Sequence, residues 1–155
     1  MKMPPFINIR ERKKLNLLLS KLEATTPALW GKMNAQMMIE HLINEVEYTN
    51  GKRSAALELA AEEATREKQA KVRDDFEIPK NIRGPSPDNS GKRFNDLPSA
   101  INALNKEIDR FEKFFQQEGQ TAVHGGFGAM NHKEWILWHG KHFAHHFKQF
   151  GLLDD

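Results

Sequence analysis

The sequence predicts an all-α fold: a bundle of four main helices with an additional helix between the second and third of them. Three observations predict it. Apolar residues recur at three- and four-residue spacing along separate stretches of the chain, which is the period of an amphipathic helix rather than of a strand. Residues suited to starting a helix (Asn34, Asp96 and Asn131) stand directly before three of those stretches. No alternating strand pattern and no internal repeat appears.

The first helix is expected within residues 9–23, IRERKKLNLLLSKLE. Leu15, Leu18, Leu19 and Leu22 fall there at i, i+3, i+4 and i+7. The segment ATTPALWGKMN follows as a connector, punctuated by Pro27 and Gly31. Asn34 then caps a second helix that runs to about Asn50, where TNGK ends it. Residues 53–75 have high helix propensity. Their apolar content fades after Leu59, so the second half reads as a solvated helix.

Residues 76–96 hold three prolines and two glycines and read as a long loop. A loop of that length in a compact domain is usually functional or a crossover. The next helix spans residues 97–118, with Leu97, Ile101, Leu104, Ile108, Phe111 and Phe115 on one face and Asp96 with Pro98 at its start. GQTAVHGGFGAM reads as another loop. Asn131 with Glu134 resembles a capping box, and the last helix runs from His132 to Phe150 with Gly151 as its C-cap.

The chain has 155 residues, which suits one domain over 1–155. No apolar run approaches the roughly 20 residues that span a membrane, and no apolar segment of a secretory signal follows the N-terminus. There are no cysteines, which excludes disulfides, thiolate ligands and a Cys nucleophile and fits a reducing, cytoplasmic setting. The net charge is +2, with acidic and basic residues interspersed. That gives no phosphate footprint for nucleic acid and no field for a membrane surface.

The chemistry is concentrated near the C-terminus. Four of the seven histidines lie in the stretch WHGKHFAHHFKQFG. With His142 set to zero on a helical wheel, His146 falls near about +40°, His139 near about +60° and Gln149 near about −20°. Trp135 and Trp138 lie on the same face, and His145 sits at its margin. Ile136, Phe143, Phe147 and Phe150 form an adjoining apolar face. His142 and His146 stand at i, i+4, a spacing that lets two imidazoles converge on one ion. A third ligand must come from elsewhere, and His41 in MMIEHLINEVEY is the best donor. Met37, Met38, Glu45 and Tyr48 flank it on its own wheel. From the residues alone several readings stay open: a metal site, a catalytic base, a structural histidine face or interaction surface that responds to pH, and chance clustering. No Glu-x-x-His, HExxH, nucleophile, phosphate-loop or dinucleotide motif is present.

The segments WGKMNAQMMIEHL and HKEWILWHGKHFAHHFKQFG resemble the DinB/YfiT-like superfamily of metalloenzymes. They look closest to a subfamily known only as a domain of unknown function. Residues 52–95 match it weakly. The resemblance implies a four-helix bundle with a long crossover between its second and third helices. It also implies a metal site of one His on the second helix and an i, i+4 pair on the last, which here are His41, His142 and His146. Trp138, His139, His145, Gln149 and His124 would line the pocket or support the ligands. Where the subfamily has His-Pro before a Phe-Gly turn, this chain has HGGFG (His124 to Gly128). Loss of the proline loosens that turn, and the glycines admit close approach by a ligand.

The functional expectation is a metal-dependent hydrolase or thiol-dependent transferase acting on a small molecule, such as a low-molecular-weight thiol. Its divalent transition metal would be zinc or nickel first, iron or copper next. Glu45, one turn from His41, would be the general base or orienting carboxylate. The alternative is a non-catalytic, stress-associated metal-binding bundle. Homodimers are common in related bundles, although no feature of this sequence demonstrates one.

Overall fold

The computed structural model describes residues 3–80 and 92–154. The described chain is mostly helical. In order it contains α1 (Arg12–Leu19), α2 (Ala35–Glu47), α3 (Ala61–Lys71), α4 (Leu97–Phe114), β1 (Ala122–His124), β2 (Gly128–Met130) and α5 (His132–Gln149). Of the stretch 76–96 read as a long loop, residues 81–91 lie outside the described residues.

Three helices start where local capping chemistry dictates. Asn34 is extended, and its side chain accepts from Met37 N–H at 2.8 Å. Asp96 accepts from Ser99 N–H at 2.8 Å, with Pro98 in the first turn. Asn131 and Glu134 form a reciprocal capping box, with bonds of 2.9 and 3.0 Å. Each cap satisfies backbone donors that the first helical turn cannot.

The core gathers Leu15 and Leu19 of α1, Ile39, Leu42, Ile43 and Val46 of α2, Leu104, Ile108 and Phe111 of α4, and Phe143 and Phe147 of α5. Full burial of each such side chain is worth roughly 1.5–3 kcal/mol. α2 packs on α4 over much of its length and on α5 less extensively. Buried Glu47 pairs bidentately with Arg93, at 2.9 and 3.1 Å. Glu40, next to His41, accepts from the backbone N–H groups of Arg93 and Phe94 at 2.9 and 3.3 Å. These bonds pin residues 93–94 beside the helix that carries His41.

The structure corrects five expectations. The first helix covers Arg12–Leu19 rather than 9–23. Before it, Ile7 and Ile9 are buried from an extended chain, and Ile7 N–H donates to Gly140 O at 3.2 Å. After it, Lys21 and Leu22 bond to the third residue back, which tightens and ends the turn. The second helix stops at Glu47, short of Asn50.

The helix expected over 53–75 is confined to Ala61–Lys71, and of its residues Ala64 is buried. Residues before it are held away from helix by tertiary bonds, with Arg53 N–H on Glu47 O and Glu58 N–H on Gly125 O. Intrinsic propensity yields to such contacts. The helix expected to reach 118 ends at Phe114.

The loop expected over 119–130 contains an antiparallel hairpin with Ala122 opposite Met130, Val123 opposite Ala129 and His124 opposite Gly128. Phe127 N–H closes the turn on His124 O, and Gly128 follows at φ +82°. A left-handed glycine after a turn is a standard way to close a three-residue hairpin loop. The close approach expected at these glycines comes from the protein itself. A Cβ on Gly125 would lie 3.2 Å from the Glu58 side chain.

Candidate metal centre

α2 and α5 bring His41, His142 and His146 together. His41 Nε2 lies 3.1 Å from His142 Nε2, and His146 Nε2 lies 3.0 Å from the same atom. Ring centroids are 5.0 Å apart for His41 with either partner and 4.7 Å apart for the helical pair. One nitrogen from each ring falls within 4.8 Å of the others, and the three could hold a metal ion. Two imidazole nitrogens at about 2.0–2.1 Å from one tetrahedral zinc would lie roughly 3.3 Å apart. Both distances to His142 need only a few tenths of an ångström of adjustment, and the His41 and His146 donors lie within 4.8 Å of each other, so the donor set fits.

The electrostatics favour neutral rings, which is the form that ligates. Burial, reinforced by the charge of His145, lowers the His41 pKa to about 4. Burial and His41 lower that of His146 to about 3, against the opposing hydrogen bond to Gln149. Burial and the neighbouring imidazoles push His142 well below the usual histidine range. Desolvation disfavours the charged ring, and adjacent rings disfavour it further.

Each ring's other nitrogen decides what the inner one offers. His146 Nδ1 lies 2.7 Å from Gln149 Oε1, so Nδ1–H donates there and Nε2 is left as a bare lone pair. Gln149 Nε2 donates in turn to Trp30 O at 3.0 Å.

The other sequence-derived candidates separate into different surroundings. Glu45 is half-buried, and burial raises its carboxyl pKa. Among the described residues it makes no hydrogen bond or ion pair, and it is not part of the converging cluster. His145 lies beside the triad, its ring centroid 5.0 Å from that of His146, but it is not one of the three converging residues. Burial lowers its pKa, and its ring meets Trp30 edge-on at 5.7 Å. His139 is 1% exposed, lies 2.9 Å from Thr49 Oγ1, and packs against Phe111 and Trp135. His124 accepts from Gly126 N–H through Nδ1 and stacks on Phe127 at 4.0 Å. Trp138 lies between Phe127 and Phe76.

The sequence reading missed Thr49, whose single hydroxyl carries no local signature. It also missed that Trp30 holds Gln149, although both residues lie in the two segments that stood out.

A family model described as "Protein of unknown function (DUF1569)" matches residues 19–151. That span contains all three converging histidines together with Trp30 and Gln149. No curated protein and no solved structure matches the chain.

Proposed function

We propose that this chain, which belongs to the DUF1569 family of proteins of unknown function, binds one divalent transition metal on His41, His142 and His146 and uses it on a small-molecule or thiol substrate. The fold this reading carries is a single DinB/YfiT-like four-helix bundle, with α3 in the crossover between α2 and α4. The observation behind it is the convergence of three neutral imidazole nitrogens from two helices. Repulsive, desolvated lone pairs at this spacing are costly unless a cation or a shared proton sits among them.

A divalent ion bound there supplies Lewis acidity and lowers the pKa of a coordinated water or thiol. The protein's own groups do the rest. His41, His142 and His146 would hold the ion as three ligands, which would leave room for water or substrate. Gln149 keeps the His146 proton on Nδ1. Glu45, one turn from His41 and with its carboxyl pKa raised by burial, accepts the substrate's proton and returns it to the leaving group. Zinc or nickel suits this all-imidazole set, with iron or copper next. The reaction classes that follow are hydrolysis and thiol-dependent transfer.

A second reading has its own support. α2 packs less extensively on α5 than on α4, so an ion joining α2 to α5 would stabilise the fold without chemistry.

Metal content by mass spectrometry, with a His142→Ala/His146→Ala double variant beside the wild type, tests the shared premise. About one ion per chain, lost in the variant, supports both readings. Turnover of thiols or small esters by the loaded protein then selects the enzyme. Absence of metal on isolation, together with no zinc or nickel uptake on titration, sinks both.

A further inference from the structure

Both halves of the Gln149 amide are engaged, and the two partners fix its orientation. The Trp30 carbonyl has no proton to give, so the amide NH2 must face it, at 3.0 Å. The amide oxygen is thereby turned onto His146 Nδ1 at 2.7 Å. An oxygen that only accepts forces the proton of the neutral ring onto Nδ1. The lone pair at Nε2 then faces His142 and His41.

Residues 29–31 hold this arrangement from outside. Leu29 N–H donates to the Gln149 backbone carbonyl at 2.7 Å. Gly31 adopts φ +80°, and a Cβ there would stand 2.9 Å from Gln149 Nε2. A side chain at 31 would therefore both strain the backbone and push on the amide.

We infer that Gln149 is the positioning residue of the metal centre, setting the His146 tautomer, and that the Leu29–Gly31 turn is the clasp that sets Gln149. The inference rests on the metal reading of the triad. It assigns one purpose to two segments 119 positions apart: the WGK turn and the QFG end of α5 form one device. Supporting partners of a ligating His typically carry 10–100-fold in affinity, in rough terms.

Two readouts on the full chain test it. In metal-free, 15N-histidine-labelled protein, long-range proton–nitrogen correlation reports which His146 nitrogen carries the proton. The wild type should show Nδ1–H. Gln149→Leu should populate Nε2–H, and Gln149→Glu, which keeps an acceptor, should restore Nδ1–H. A purely structural role would not move this signal.

Cobalt titration is the second readout. Gln149→Leu should weaken binding about 10–100-fold, and Gln149→Glu should recover most of the loss. Gly31→Ala should weaken it as well. Gly119→Ala, at φ +75° with nothing within 4 Å, carries the same backbone strain and should not. Should Gln149→Leu fail to fold, the Gly31/Gly119 pair still decides.

Nε2–H in the wild type, or equal cobalt affinity in wild type and Gln149→Leu, overturns the inference. No cobalt binding by the wild type overturns the metal reading and the purpose given to Gln149. The tautomer signal still decides the Gln149–His146 bond by itself.

Discussion

His139 Nε2 and Thr49 Oγ1 lie 2.9 Å apart within the hydrophobic core. Thr49 Oγ1 also donates to Val46 O at 2.9 Å, so its single proton is spent there and the His139 ring must donate. Among the described residues, His139 Nδ1 is left buried without a hydrogen-bond partner. One of the four clustered histidines is thus a core residue of α5 that ties it to the end of α2. Thr49→Val removes the acceptor and strands the ring N–H. It should cost about 1–3 kcal/mol in urea denaturation while cobalt affinity stays unchanged. A large affinity loss would place His139 in the metal centre instead.

The histidines set the acid sensitivity of the fold. Burial, with the charge of His124, lowers the His139 pKa from 6.5 to about 3. Burial, with Lys71, lowers that of His124 to about 4. Below pH about 6.5 the unfolded chain takes up protons that the folded chain refuses. The stability these rings contribute is complete above that pH and declines as pH falls towards their folded values. Each fully refusing ring contributes a slope of about 1.4 kcal/mol per pH unit. Denaturant midpoints of metal-free protein should therefore drop between pH 7 and 4.5, with a shallower fall in His139→Phe. A flat profile would contradict the burial of these rings.

Metal should raise the melting temperature in a concentration-dependent way. A ligand that binds only the folded chain stabilises it by RT ln(1 + [L]/Kd), which is about 2.7 kcal/mol at a hundredfold excess over Kd. The rise should vanish in His41→Ala and in His146→Ala. It should persist in His145→Ala, because His145 is not one of the three converging histidines. Scanning calorimetry with zinc separates these cases, and loss of the effect in His145→Ala alone would reassign the ligand set.

Gly140 marks where the N-terminal segment crosses α5. A Cβ there would overlap the Phe6 ring and stand 2.5 Å from Ile7 O. Gly140→Ala gains helix propensity of about 1 kcal/mol, yet it should destabilise by more than that because the crossing must open. Faster hydrogen exchange at Ile7 N–H would localise the effect. A variant more stable than wild type would show that the segment yields freely.

How much was legible in advance depended on whether the cause was local. Asn34, Asp96 and Asn131 announced their helices because a cap and its acceptor lie within three residues of each other. The His142–His146 spacing showed for the same reason, and His41 followed from its helical face. The hairpin did not show, since strands of three residues are too short to display alternation. The unwound 53–60 segment was hidden by its alanines and leucines, because the bond from Glu58 to Gly125 that extends it joins distant positions. The bonds from Thr49 to His139 and from Gln149 to Trp30 are equally non-local. Composition marks the residues but not their pairing.

The contacts that define the site share one further property. His41 meets His142 across 101 positions, and Gln149 meets Trp30 across 119. During synthesis, α2 and the turn at residue 31 emerge long before α5, and they can make none of these bonds until it arrives. Contacts of such sequence separation slow folding, because chain entropy is lost before they form. The nascent chain therefore carries the His41 side of α2 uncovered until α5 has been made. The three-histidine cluster can close only once α5 has been synthesised.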